Sequence, residues 1–348
     1  MVRWPRAVVA VALAPVPGPE KRYDVVGVGN AIVDVIAQAD DAFLDRNRLQ
    51  KGAMTLVDAE RSSELYGNFP PAIEVSGGSA ANTIAGVASF GSPVAYIGKV
   101  RNDQLGEVYR HDLRAGGVSF DVPAASAGPA TGRCLIVVTP DAERTMNTYL
   151  GISSLLEPSD IDEELCAQAQ LLYCEGYVWD VESAKAAIRK AMAATAAAGG
   201  QVSLTLSDGF CVDRHRDDWL GLVDDYVDVL FGNGSEICSL YETDDLERAI
   251  RSVTGQCQVA AVTTGAKGSV VVTAEQRIEV PAWSTGVVLD TTGAGDQYAA
   301  GFLYGYARGV DLGRCGELGS MAAGEVISHV GPRPATSLAD LALQRNLL

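Results

Sequence analysis

From Tyr23 onward, short β-branched apolar runs alternate with longer alanine-rich stretches. The apolar runs predict strands at residues 24–28, 94–97, 171–174, 202–206, 229–231, 259–263 and 270–273. Between them, helix-like patterning covers residues 80–90, 103–115, 182–198, 235–253, 294–308 and 314–329. The run 182–198 shows the logic: alanine favours helix, and Gly199-Gly200 stops it. Strand–helix alternation predicts an α/β protein with parallel strands and helices on both faces. Two regions break the rhythm. Residues 36–57 and 118–150 hold strand-like runs, among them Cys134-Leu135-Ile136-Val137-Val138, with no helix between them. They predict a small β layer over the C-terminal edge of the main sheet. No repeat or linker divides the chain, so residues 23–348 read as one domain.

The 348 residues are 47% hydrophobic and 20% charged, which suffices for a large core. The net charge of -17 disfavours nucleic acid and anionic membranes as partners. It does not exclude a small anion, because a local nest of amides binds phosphate against the global field. Seven cysteines are scattered without a Cys-x-x-Cys pair, and read as reduced thiols. His111, His215 and His329 show no ligand spacing. At the start, Arg3 and Arg6 precede an apolar run of eight residues, 7–14, then Pro15, Pro17 and Pro19. The run is too short to span a bilayer. Residues 1–22 read as a disordered leader on a cytoplasmic protein.

The chemistry concentrates in Asp290-Thr291-Thr292-Gly293-Ala294-Gly295-Asp296. The apolar run 287–289 before it reads as a strand, and residues 298–303 after it as a buried helix start. Small residues on such a turn leave backbone N–H groups free. Added to the helix dipole, they make an anion site. A carboxylate at that entrance, Asp296, would repel the anion unless it takes a proton from a group attacking it. An anion cradle with an adjacent base is the minimal equipment for phosphoryl transfer to an alcohol. A second Gly-rich element, Ser76-Gly77-Gly78-Ser79-Ala80-Ala81-Asn82, precedes another apolar helix through Ile84, Val87 and Phe90.

These two elements resemble the two signatures of the ribokinase-like (PfkB) family of sugar and nucleoside kinases. Three further strings resemble its adenosine kinase branch. Gly29-Asn30-Ala31-Ile32-Val33-Asp34 is similar to the opening substrate loop, Phe231-Gly232-Asn233-Gly234-Ser235-Glu236 to the Asn-x-x-Glu motif, and Thr264-Gly265-Ala266-Lys267-Gly268 to the nucleotide turn. The resemblance covers nearly everything from Tyr23 onward. It implies a ribokinase-like three-layer α/β/α sandwich with a small β-sheet lid, formed by about 36–57 and 118–150. It also implies an ATP-dependent, Mg²⁺-assisted kinase. In adenosine kinases the acceptor is the 5′-hydroxyl of adenosine and the product is AMP.

Site roles follow residue by residue. Asp296 is the expected general base, and the amides of Gly293, Ala294 and Gly295 hold developing charge. Resemblance gives Arg144 a reach from the lid to the phosphoryl group, which suits a planar guanidinium. Asp34 can accept from two neighbouring hydroxyls, as in a ribose cis-diol. Resemblance puts Asn82 and the Gly77 and Gly78 backbone at the acceptor's sugar, Asn30 on the base side, and Tyr177 as an aromatic stacked on the base. It has Asn233 and Glu236 orient Mg²⁺ and its waters, and brings Thr264, Gly265 and Gly268 to the triphosphate. Asp290 matches a position that binds a monovalent cation such as K⁺ in some relatives, and residues 321–329 match the wall of the adenine pocket.

A sugar kinase of the ribokinase or fructokinase kind shares the ring motifs. Tyr177 and the string 144–149 favour a nucleoside. A pseudokinase would lack the base or the cradle, and both stand intact. His215-Arg216-Asp217 spells the protein-kinase catalytic tripeptide, but the asparagine expected five residues beyond its aspartate is Leu222. The expected partners are ATP and a small nucleoside or sugar, without nucleic acid or membrane. Monomer and homodimer both stay open.

Overall fold

A computed structural model describes residues 21–141, 143–284, 286 and 288–348. The leader expectation therefore lies almost wholly outside the described residues. The described strands are β1 Tyr23–Val28, β2 Ile32–Gln38, β3 Met54–Leu56, β4 Ala72–Gly77, β5 Val94–Ile97, β6 Val118–Ser119, β7 Thr131–Val138, β8 Arg144–Gly151, β9 Ala169–Glu175, β10 Gln201–Thr205, β11 Val229–Asn233, β12 Val259–Thr263, β13 Ser269–Val272 and β14 Arg277–Val280. The α-helices are α1 Asp41–Arg46, α2 Ala59–Asn68, α3 Ser79–Ser89, α4 Gln104–Ala115, α5 Glu163–Ala167, α6 Glu182–Ala197, α7 Gly209–Asp225, α8 Gly234–Leu240, α9 Leu246–Val253, α10 Ala294–Ala307, α11 Leu312–Val326 and α12 Leu338–Gln344.

The strands form two sheets. The larger has nine, in the order β14-β13-β12-β11-β10-β9-β1-β5-β6, and the smaller has five, in the order β3-β8-β7-β2-β4. Side-chain alternation feeds two cores, one on each face of the large sheet. Val26, Leu172, Cys174, Leu204 and Leu230 join the core under α6 to α9. Val25, Leu171, Tyr173, Val229 and Phe231 join the core under α3, α4 and α10. The result is a ribokinase-like α/β fold with helices on both faces of a mixed sheet. Small residues let α10 and α11 touch closely, Gly301 lying against the backbone of Leu318 and Gly319 against Tyr298.

Several expectations need correction. The strands are parallel from β6 across to β12, but β13 and β14 are antiparallel at the edge. The run 287–289 forms no strand: Val288 and Leu289 are exposed at 61% and 47%, and Val287 lies outside the described residues. The predicted helix 235–253 is two helices, because Glu242 takes a positive φ of 49° and Asp245 caps a new start. Residues 118–119 pair with β5 in the large sheet rather than with the small one. The segment 36–57 is not helix-free, since Asp40 caps α1 through Phe43 N. The small sheet also takes in residues 32–35 and the whole of β4. The long helix α7, which begins at the Asp208 cap, had no counterpart in the pattern. Its apolar positions are interrupted by Asp and Arg, and His215 kinks it.

Candidate active site

Parallel α/β sheets present their binding groups at the carboxyl ends of the strands. Here β1 ends at Val28 just before Gly29 and Asn30, β9 ends at Glu175, and β11 ends at Asn233. Helices α3 and α10 begin at this edge and meet there. Ser79 Oγ of α3 donates to Asp296 Oδ1 of α10 at 2.6 Å, and Asn82 Nδ2 approaches Oδ2 at 3.3 Å. The two Gly-rich elements of the sequence, more than two hundred residues apart, thus make one site.

Gly293 stands at the mouth of α10 with φ of 78°, where its Cα lies against Pro332. A side chain would be strained there by conformation and by contact alike. The start of α10 leaves the amides of Gly295 and Asp296 without intrahelical partners. One expected cradle member is engaged differently: the Ala294 amide donates to Thr291 O at 3.2 Å, closing the turn before the helix. Burial pushes the Asp296 carboxyl up to about 6, against the pull of Ser79 and Asn82.

Asp34 sits on β2, packed against the Gly77 Cα across the β2–β4 pair, where any side chain at 77 would collide with it. Its carboxylate is 7% exposed and takes no hydrogen bond among the described residues. Burial raises it to about 6, Arg333 and Arg144 pull it down, and Asp296 pushes it up. Alternation along β2 gives Asp34 the same sheet face as Ile32 and Ile36. These cluster with Cys134, Ile136, Val138 and Met146 of β7 and β8. Met54, Leu56 and Ile73 extend the apolar surface as an exposed rim.

Asn30 is held from several sides. Its amide N and Nδ2 both donate to Glu175 Oε1 at 2.7 Å, its Oδ1 accepts from Ser153 Oγ at 2.7 Å, and its carbonyl accepts from Tyr96. Glu175 Oε2 accepts from Ala80 N at 2.6 Å in the first turn of α3. Gly78, with φ of 100°, passes directly over the Asn30 carbonyl. One buried carboxylate therefore ties both acceptor-side loops together. Burial raises Glu175 to about 7, although its three donors favour the charge.

Arg144 and Asp290 meet each other. Arg144 Nη1 donates to Asp290 Oδ2 at 2.5 Å, with side chains 7% and 4% exposed. Asp290 also accepts from Gly331 N at 2.9 Å and Thr292 N at 3.0 Å. Burial alone would push its carboxyl up, but these bonds and the Arg144 guanidinium prevail and hold it below the usual carboxylate range. Nε and Nη2 of Arg144 are buried without a partner among the described residues, which suits an incoming anion. The positive charge that Asp290 meets in this arrangement is the Arg144 guanidinium.

On the nucleotide side, Asn233 and Glu236 satisfy each other. Asn233 Oδ1 caps Glu236 N at 3.0 Å, and Glu236 Oε2 accepts from Asn233 N at 2.9 Å. This capping box opens α8. Glu236 is raised to about 7 by burial. Thr264 follows Thr263, which pairs with Asn233 in register. Its Oγ1 donates to Gly268 O at 3.0 Å, closing the Gly265–Lys267 turn. That turn makes no hydrogen bond to the acceptor-side residues among those described. Tyr177 is half-buried, its hydroxyl donating to Ser207 O at 3.1 Å, and its phenol is raised by burial and by the charges of Asp208, Asp296 and Glu236. No group of three or more His, Cys, Asp or Glu able to hold a metal occurs among the described residues. Oxygen donors at the rim, Glu236 and Asn233, fit Mg²⁺ that is carried by phosphate and reached through water.

Glu175 and Arg333 were not anticipated. Glu175 had a signal: a carboxylate directly ending the apolar run Leu171-Leu172-Tyr173-Cys174. Arg333 had only its place between Pro332 and Pro334. Its Nη1 donates to Ser76 Oγ at 2.6 Å and its Nε to Asn82 Oδ1 at 3.3 Å.

A raised carboxylate at a free helix N-terminus, with a buried arginine that is tied to Asp290 ahead of the same turn and has idle nitrogens, is the equipment of a phosphotransferase. Residues 71–338 match the pfkB family carbohydrate kinases, and the chain belongs to that family of kinases, whose members use ATP. It is 50% identical to the adenosine kinase from Sinorhizobium meliloti, with a TM-score of 0.87 over 93% of this chain and 99% of that one. It is 48% identical to a probable sugar kinase from Rhizobium etli CFN 42, with a TM-score of 0.89 over 94% of this chain and all of that one. The adenosine kinase of Saccharomyces cerevisiae is 27% identical over 327 residues, 88% of this chain and 95% of the yeast protein. Among the described residues no helix is long and apolar enough to cross a membrane.

Proposed function

We propose that this kinase transfers the γ-phosphoryl group of ATP to the 5′-hydroxyl of adenosine. Asp296 takes the hydroxyl proton as the oxygen attacks. The new O–P bond forms while the bond from the γ-phosphorus to the β–γ bridging oxygen breaks, releasing ADP. The free amides at the start of α10 and the idle nitrogens of Arg144 face the charge that builds on the phosphoryl oxygens. Asp34 accepts from the ribose diol, with Asn82 and the Gly77–Gly78 backbone alongside. Asn30 and Tyr177 hold the base. Thr264, Gly265 and Gly268 line the triphosphate. Asn233 and Glu236 orient the hydrated Mg²⁺, which neutralises phosphate charge when bound. The small sheet acts as the lid that keeps water from competing with the alcohol.

The observation that carries the nucleoside reading is the face around Asp34. A free sugar presents hydroxyls on every side and gains little from Ile32, Ile36, Cys134, Ile136 and Met146. A purine gains from an apolar wall and from an aromatic such as Tyr177, since base–aromatic stacking contributes roughly 1–3 kcal/mol. The likeness to the Sinorhizobium adenosine kinase supports this reading. The similar likeness to the Rhizobium probable sugar kinase makes a sugar the second candidate. The test is an acceptor panel of adenosine, inosine, ribose and fructose with ATP. The expected kcat/KM for adenosine exceeds that for either sugar by at least about tenfold, which is 1.4 kcal/mol. Equal or better turnover of ribose or fructose would overturn it.

A further inference from the structure

Arg333 lies between α11 and α12 yet reaches three elements of the acceptor site. Nη1 donates to Ser76 Oγ at 2.6 Å on β4 and pairs with Asp112 Oδ2 at 3.3 Å on α4. Nε donates to Asn82 Oδ1 at 3.3 Å on α3. Nη2 is buried without a partner among the described residues. Asp112 also accepts from Ser76 N at 2.7 Å and Ser76 Oγ at 2.5 Å, which braces the approach to Gly77 and Gly78.

The Asn82 amide is consequently held at both ends. Its oxygen accepts from Arg333, so its nitrogen is the end that faces Asp296. Reversed, the amide would set two donors against each other and two acceptors against each other. The same segment is fixed from behind: Gln297 Nε2 donates to both Asn82 O and Pro332 O at 3.0 Å, and Pro332 packs on Gly293.

We propose that Arg333 is a positioning residue for phosphoryl transfer: it orients the Asn82 amide that donates to Asp296. Its positive charge also favours the ionised form of Asp34. The groups facing Asp34 are few. Arg333 and Arg144 favour its charge, while Asp296 opposes it. Tyr109 of α4 and Cys134 of β7, the latter in register with Asp34, are neutral with acidities weakened by burial. Arg144 is already committed to Asp290. Removing Arg333 leaves Arg144 as the one counter-charge named above against burial and Asp296.

The proposal rests on the roles given above to Asp296 and Asp34, and not on the identity of the acceptor. It is therefore tested with whichever acceptor the wild type turns over best. Arg333→Met and Arg333→Lys are compared with wild type by kcat and KM for both substrates between pH 5 and 9, with thermal melts alongside. Arg333→Met is expected to lower acceptor kcat/KM by about tenfold or more, and to move its acid limb upward by about one pH unit. The KM for ATP should stay within about twofold. Arg333→Lys keeps the charge but cannot hold Ser76 and Asn82 together. It is expected to restore the acid limb while kcat stays several-fold low. A folded Arg333→Met with an unmoved acid limb would overturn the charge role. Wild-type kcat in Arg333→Lys would overturn the Asn82 role, and this variant decides alone if the Met variant does not fold. If Asp296→Asn and Asp34→Ala lose activity while both Arg333 variants keep it, only the Arg333 proposal fails. If those aspartate variants keep activity, the site reading fails with it.

Discussion

Replacing Glu175 with glutamine sets stability against function. The wild-type carboxylate is 1% exposed and accepts from Asn30 N, Asn30 Nδ2 and Ala80 N. Burial nonetheless wins, raising it from 4.5 to about 7. At 1.36 kcal/mol per pH unit, holding it ionised in the fold costs about 3 kcal/mol relative to the unfolded chain. The sign follows from the raised value. The stability linked to this group is fully present below pH 4.5 and is lost as pH rises through about 7. Glutamine keeps the size, remains neutral at every pH and resembles the protonated acid. It still has only one acceptor oxygen, so either Ala80 or Asn30 loses its tether. Glu175→Gln should therefore stabilise the protein at pH 8 by about 1–3 kcal/mol, a Tm rise of about 1–4 °C for a chain of this size. The gain should vanish at pH 4.5. Acceptor KM should rise about tenfold, the equivalent of one charged hydrogen bond. Melts at the two pH values and steady-state kinetics read these effects. A lower Tm at both pH values would refute the reasoning, because the three bonds would then outweigh burial.

Three further outcomes follow from the same geometry. Asp34 and Asp296 are both raised to about 6 and both act ionised, so acceptor kcat/KM should fall as pH drops below about 6; a profile flat to pH 5 would contradict this. Asp34→Ala should weaken acceptor binding far more than ATP binding, and 2′-deoxyadenosine should bind the wild type less well than adenosine; equal binding would remove the diol assignment. Tyr177→Ala should erode the preference for adenosine over ribose while leaving residual sugar phosphorylation unchanged, measured as a ratio of kcat/KM values.

The large sheet was legible because its buried strands are nearly continuous apolar runs, and residues 94–97 and 259–263 match their strands end to end. The edge strands β13 and β14 look the same in sequence whether they pair parallel or antiparallel. Helix α7 hides its apolar face among Asp213, Arg214, Arg216 and Asp217, all on a kinked surface helix. Within the site, Asp296 could be read as a carboxylate on a Gly-rich turn and Asp34 as one just past Gly29-Asn30, while Asn82 and Gly77 were named by resemblance alone. The roles of Glu175 and Arg333 could not be read. Their meaning lies in partners more than ninety residues away, such as Ala80 for Glu175 and Asn82 for Arg333. The ion pair between Arg144 and Asp290 is equally non-local, at a separation of 146 residues.

The proposed chemistry stands or falls with Asp296. Asp296→Asn keeps the size and the bond from Ser79 but removes the proton acceptor. Single-turnover phosphorylation of adenosine should slow by about 10²–10⁴-fold, the range for loss of a general base, while ATP affinity stays within about twofold of wild type. A single-turnover rate within a few-fold of wild type would contradict the account.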